Sequence, residues 1–178
     1  MSAAAETVRL FFALWPDDAL QHRLAAWARQ AAGKARPMRR ENIHLTLAFL
    51  GATDAALLPV LRACARGVRF APFALALERA EYWKHKRIVW CGPQEEPQAL
   101  VALVAELRAA LDQAGIRYDP KPFVSHVTLL RKSSGLAAAP RWVPLAWDVR
   151  EFVLVRSVPA EGGVRYEVLQ RFPAVEVS

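Results

Sequence analysis

Histidine and threonine recur two residues apart at two places in this chain, His44-Leu45-Thr46-Leu47 and His126-Val127-Thr128-Leu129. The chain holds four His and four Thr, and chance placement of so few residues gives about 0.09 such triplets. A single histidine on an apolar strand is usually a core or edge residue that has found a hydrogen-bond partner. Two copies of one polar pair in apolar settings call for another explanation. In an extended strand residues two apart share a face, so His44 lies beside Thr46 and His126 beside Thr128. The apolar neighbours Ile43, Leu45 and Leu47, and Val124, Val127 and Leu129, supply apolar character for the opposite face or for full burial of a central strand.

Two facing imidazoles suit cleavage of a phosphodiester. Imidazole titrates nearest neutral pH, so one ring starts neutral as a base while its twin starts protonated as an acid. We read His44 as the acid and His126 as the base; the two motifs are nearly equivalent, and running the reaction backwards exchanges the roles. Thr46 and Thr128 each offer a hydroxyl to a non-bridging phosphate oxygen, and a strand-end arginine neutralises charge growing on the phosphoryl group. No cofactor is required. Clustered histidines also suggest a metal, but neither motif carries a carboxylate or cysteine at ligand spacing, so none is expected. Ser125 adjoins His126 and so points to the opposite face of a strand, which argues against a serine nucleophile. A glycine-rich phosphate-cradling loop is absent.

The net charge of +7 and the sequence pI near 10.0 favour an anionic partner, nucleic acid above all. An Arg- and Ala-rich coding bias gives the same signal, so charge does not stand alone. With 54% hydrophobic and 23% charged residues over 178 positions, the chain is globular and long enough for one domain of two lobes. Cys64 and Cys91 form no Cys-x-x-Cys pattern, which fits a cytoplasmic protein without a disulfide framework. The N-terminal stretch has no basic leader, and no apolar run reaches membrane-spanning length.

The elements follow in order. Residues 8–14 read as a buried strand. A helix runs from Pro16 to Gly33, with Leu20, Leu24 and Trp27 at helical spacing and His22 on its surface. The basic connector 34–40 leads into the first motif strand. Thr53 and Asp54 cap a helix closing near Gly67. Two strands, 73–78 and 87–91, are joined by the basic and aromatic stretch Tyr82 to Lys86, an exposed tip in which His85 lacks a partner motif. A core-facing helix spans 97–114 with a stripe from Leu100 to Leu111. The second motif strand covers 123–130 and ends at Arg131. Three further strands, 143–147, 151–158 and 164–172, close the chain, the last two joined at Gly162-Gly163. This order predicts α+β architecture with mostly antiparallel sheets. The motif histidines lie about half a chain apart, so a duplicated, pseudo-symmetric arrangement would set them face to face across a groove.

In these surroundings the sequence resembles the two-histidine (2H) phosphoesterases, in particular the bacterial and archaeal RNA 2′,3′-cyclic phosphodiesterases, also called 2′-5′ RNA ligases. The resemblance includes Arg9-Leu-Phe-Phe-Ala-Leu14, Glu41-Asn-Ile-His44-Leu-Thr46-Leu, Phe49-Leu-Gly51 and Val89-Trp90. It continues through Phe123-Val-Ser-His126-Val-Thr128-Leu with Arg131, then 152–157, Gly163, Tyr166 and Phe172. It implies a two-lobed fold with helices outside and an active-site groove between the lobes. It also implies hydrolysis of a terminal 2′,3′-cyclic phosphate to a phosphomonoester and reversible, ATP-independent 2′-5′ joining of RNA such as tRNA halves. No Lys-x-Asp-Gly adenylation motif occurs. The expected partner is RNA or an oligonucleotide with a cyclic phosphate end, and a monomer suffices. An RNA-end binding module without turnover, and a 2H enzyme acting on 2′-5′ oligoadenylate or small cyclic nucleotides, are the alternatives.

Overall fold

A computed structural model of the chain describes residues 3–176. Strand β1 (Thr7–Leu14) alternates, with Leu10, Phe12 and Leu14 in the main core and Phe11 and Ala13 on the other face. Helix α1 (Asp18–Ala31) starts at Asp17, whose carboxylate accepts from the Leu20 amide at 2.8 Å, satisfying one of the unpaired amides of the first turn. The basic connector contributes a short strand, β2 (Arg36–Pro37), and a single 3-10 turn (Arg40–Asn42) before β3 (Leu45–Asp54). Asp54 then caps a 3-10 turn through the Ala56 amide at 2.9 Å, leading into α2 (Leu58–Gly67).

Next come β4 (Phe73–Leu77), β5 (Arg79–Trp83) and β6 (Ile88–Gly92), then α3 (Gln98–Gln113), β7 (Val127–Arg131), β8 (Leu145–Val149), β9 (Glu151–Ala160) and β10 (Gly163–Pro173). The α+β expectation holds, and every strand pairing is antiparallel. The main sheet runs β10-β9-β1-β3-β7-β6-β5, with β2 also pairing β7, while β4 and β8 form a separate two-stranded sheet. Among the described residues β3 and β7 pair at one position, Leu45 opposite Val127. The two halves of the sheet therefore join where the two motifs begin.

Three details differ from the sequence reading. The stretch before Arg87 is not one long joint: Arg79 to Trp83 forms a strand of its own against β6, and only residues 84–87 make the turn. The strand is short and its residues are largely half-buried, so it lacks the apolar alternation that marks a strand in sequence. Both motif strands also begin one residue after their histidine rather than before it. Val124, expected on a buried face, is 48% exposed, because residues 118–126 approach as irregular backbone. Finally, Arg36 and Pro37, expected in a connector, take a place in the sheet beside β7.

Candidate active site

The alternation expected of the motifs is present. Leu45, Leu47, Val127 and Leu129 are at most 1% exposed, which fixes the opposite, groove-facing side for His44, Thr46, His126 and Thr128. In an antiparallel pair, the register at Leu45 and Val127 carried one step each way sets His44 against Thr128 and Thr46 against His126. All four residues and Arg131 line one cavity of about 310 Å³. Each sequence-predicted site residue is therefore in the same cavity.

Each imidazole is held by the carbonyl two residues earlier. His44 Nδ1 lies 2.7 Å from the Asn42 carbonyl, and His126 Nδ1 lies 2.9 Å from that of Val124. A carbonyl only accepts, so both Nδ1 atoms carry the hydrogen and both Nε2 atoms are left for chemistry. His44 Nε2 lies 3.0 Å from Thr46 Oγ1, whose hydroxyl donates to it when the ring is neutral.

The anchoring carbonyls are themselves fixed. Asn42, 4% exposed, donates from Nδ2 to the Val164 carbonyl at 2.9 Å and accepts from the Tyr166 amide at 3.3 Å, tying the first motif to β10. Gln21 of α1 donates to the Ile43 carbonyl at 3.2 Å. On the other side Glu96 accepts from the Ser125 amide at 2.8 Å and from its hydroxyl at 2.6 Å. Ser125 faces away from His126, as expected, and serves as a clamp. A Cβ on Gly92 would sit 2.9 Å from the Ser125 carbonyl, so only glycine lets this segment press against the end of β6.

Aromatic rings complete the walls. Trp15 stacks on His44 with centroids 5.2 Å apart and planes 8° from parallel, Phe11 lies 4.8 Å away, and Tyr166 meets the ring edge-on at 5.2 Å. His126 meets Trp83 at 4.8 Å in an edge arrangement. Burial pulls the His44 pKa down to about 4, with the charges of His126 and Arg131 pushing the same way and the Asn42 carbonyl opposing. Burial also lowers His126; Lys86 and Arg131 add to this, while the Val124 carbonyl and Glu96 oppose it. Among the described residues, no three His, Cys, Asp or Glu converge as a metal-ligand set.

Residues 16–160 match the 2′-5′ RNA ligase superfamily. The chain belongs to this superfamily. It is 34% identical over 174 residues to a protein of Escherichia coli K12 named RNA 2′,3′-cyclic phosphodiesterase, an alignment covering 94% of this chain and 97% of that one. A protein of the same name from Thermus thermophilus is 32% identical over 185 residues, covering 93% and 89%. The crystal structure of E. coli LigT complexed with 3′-AMP superposes with a TM-score of 0.85 at 33% identity, covering 96% of this chain and 100% of that one.

Beyond the motif residues, this member of the superfamily lines its cavity with Arg9, Phe49, Ser157 and Tyr166, which sequence reasoning did not assign to the site. Arg9, Ser157 and Tyr166 are direct partners across β1, β9 and β10, so they form one row. The local pattern does not set them apart: Ser157 adjoins Arg156, and Tyr166 lies between Arg165 and Glu167. A second cavity, about 390 Å³, shares Thr46, Phe49 and His126 with the first and is lined further by Trp83, His85, Lys86, Lys121 and Phe123. The basic, aromatic stretch of residues 82–86 thus borders the site, and His85, on its exposed turn, is among the lining residues.

Proposed function

We propose that this protein is a metal-independent RNA 2′,3′-cyclic phosphodiesterase, built as one two-lobed domain over residues 1–178. The observation that carries the reading is two His-Thr pairs lining one cavity with both Nδ1 atoms held by backbone carbonyls. Both Nε2 atoms are thereby left to work on the same guest. The guest is a terminal cyclic phosphate of RNA, tRNA halves among them. Two free thiols, Cys64 and Cys91, fit a reducing cytoplasm.

In hydrolysis His126 takes a proton from water, the water oxygen bonds to phosphorus, and the bond from phosphorus to one ribose oxygen breaks. His44 delivers its proton to that oxygen, leaving a hydroxyl and a phosphomonoester. His126 suits the base, because its Nε2 has no protein partner among the described residues and it alone of the pair also borders the second cavity, which leaves room for the attacking water beside it. His44 suits the acid. A depressed pKa makes it a strong donor once an anionic phosphate has drawn a proton onto it, and the stacked Trp15 face stabilises the resulting cation. Thr46, Thr128 and Arg131 hold the phosphoryl oxygens. Joining to a 5′-hydroxyl is the same chemistry with an RNA oxygen in place of water.

The test is hydrolysis of a nucleoside 2′,3′-cyclic phosphate in excess chelator, with the product isomer identified. Turnover that survives chelation and disappears in His44→Ala and in His126→Ala supports the reading. Tight binding without product points instead to an RNA-end binding module, and preference for 2′-5′ oligoadenylate or another small cyclic nucleotide redirects the substrate class.

A further inference from the structure

Beside the catalytic cavity lies a smaller depression of about 110 Å³, lined by Arg36, Arg39, Arg131, Gly162 and Tyr166. It shares Met38, Arg131, Val164 and Tyr166 with the main cavity, so the two are continuous. Its charges are unusual. Arg36 of β2 is the direct antiparallel partner of Arg131 of β7, and like charges set opposite each other weaken a strand pair. Several of the chain's other arginines have acidic partners: Arg40 with Asp18, Arg150 with Asp148, Arg165 with Glu167 and Arg171 with Glu151. Among the described residues no carboxylate lies within ion-pair distance of Arg36, Arg39 or Arg131. Arg36 and Arg39 instead donate one N–H each to main-chain carbonyls at the β9–β10 turn, Gly162 and Glu161 respectively. A guanidinium carries five donors, so most remain open. Gly162, with φ of +75°, brings no side chain to cover them.

Three uncompensated guanidiniums around one depression, two of them opposed across a strand pair, make a seat for an anion. We infer that Arg36 and Arg39 bind the phosphate on the 5′ side of the terminal nucleotide while Arg131 holds the cyclic phosphate. The inference rests on the phosphodiesterase reading and names the part of the RNA that the groove measures. An RNA ending in a cyclic phosphate has its next phosphate one nucleoside upstream, and the continuity of the two depressions gives that phosphate a path. The substrate is then recognised as a strand end and not as a free cyclic nucleotide.

The smallest probe is a nucleoside 2′,3′-cyclic phosphate with and without a 5′-phosphate. In the wild type the 5′-phosphate raises kcat/KM about tenfold or more, mainly through KM, as expected for charge-assisted hydrogen bonds. In the Arg36→Ala/Arg39→Ala double variant the ratio falls to about one, and the salt dependence of the 5′-phosphorylated substrate weakens. The Arg36→Lys/Arg39→Lys variant keeps part of the ratio, because point charges remain; loss that a loosened hairpin alone caused would strike both substrates alike. A ratio that persists in the alanine variant overturns the inference, as does equal turnover of both substrates by the wild type. No turnover of either substrate overturns the phosphodiesterase reading itself. A measurement free of variants completes the test: inhibition of the wild type by the nucleoside monophosphate it releases must be weaker than by the same monophosphate carrying an added 5′-phosphate, and equal inhibition sinks the proposal.

Discussion

The two halves of the site begin from the same four-residue pattern and end in different surroundings. His44 sits in an aromatic box, its Nε2 engaged by Thr46 and its anchoring carbonyl on a buried asparagine bonded to β10. His126 meets Trp83 at 4.8 Å and Trp90 at 6.4 Å, neither stacked on it, and has a free Nε2 among the described residues and an anchoring carbonyl on an exposed residue whose neighbour is clamped by a carboxylate. Sequence symmetry therefore supplies two equivalent groups, and the packing around them makes the groups unequal. A coupled pair of imidazoles loses its two protons in separate steps, and the inequality decides which ring holds the proton that remains.

The comparison is broken most severely by removing either ring. His44→Ala and His126→Ala each lower kcat on a cyclic nucleotide by roughly 10³-fold, and the double variant is scarcely worse, since the pair acts as a unit. Steady-state kinetics checks this, and independent, multiplying losses would contradict it. Gly92→Ala comes next. Its Cβ meets the Ser125 backbone, so the His126 side must shift and kcat falls by about tenfold or more while His44 keeps its place. A crystal structure of the variant shows whether the displacement is confined to residues 124–126.

Thr46→Ala and Thr128→Ala separate the halves more gently. Thr46 bonds His44 directly, so its loss lowers kcat; Thr128 has no side-chain partner among the described residues, so its loss raises KM, each by about tenfold. Equal effects on both parameters would erase the distinction.

The pH response is subtler still. Both histidines are depressed below the ordinary 6.5, so both limbs of the kcat/KM profile fall below that value and the maximum is acidic. Glu96→Gln removes a charge that favours protonated His126, so the His126 limb moves slightly further down. Stability follows the same sign. The unfolded chain protonates these rings near 6.5 and the folded chain resists, so stability is full above 6.5 and is lost as pH falls, for His44 until about 4. Thermal melts from pH 7 to 4 measure the slope, and His44→Ala flattens it.

Much of the fold was legible because it is written in local pattern. Leu100, Leu103, Val104, Leu107 and Leu111 mark α3, the alternation of β1 marks a two-faced strand, and Asp17 marks the start of α1. Four of the five predicted site residues, the two His-Thr pairs, share one cavity for the same reason: period-two spacing sets the face, and the duplication sets the partner. Arg131, an odd step from Thr128 at the strand end, joins them without that pattern. Arg9, Ser157 and Tyr166 were not legible as site residues, because only the order of β1, β9 and β10 in the sheet aligns them. The start of β7 was hidden similarly. Val124 has the composition of a strand residue, but Glu96, far away in sequence, claims the amide of the next residue and holds that stretch out of the sheet.

The meeting of Leu45 and Val127 bears on how such a protein can vary. Among the described residues the two motifs are set facing each other at a single rung between two buried residues, and β10, α1 and Glu96 then hold the flanking backbone in place. Insertions that touch neither this rung nor those anchors leave the facing of the motifs unchanged, so the rest of each half is free to drift in length and composition. One residue added between His44 and Leu45 would turn the ring through to the core side and end the chemistry.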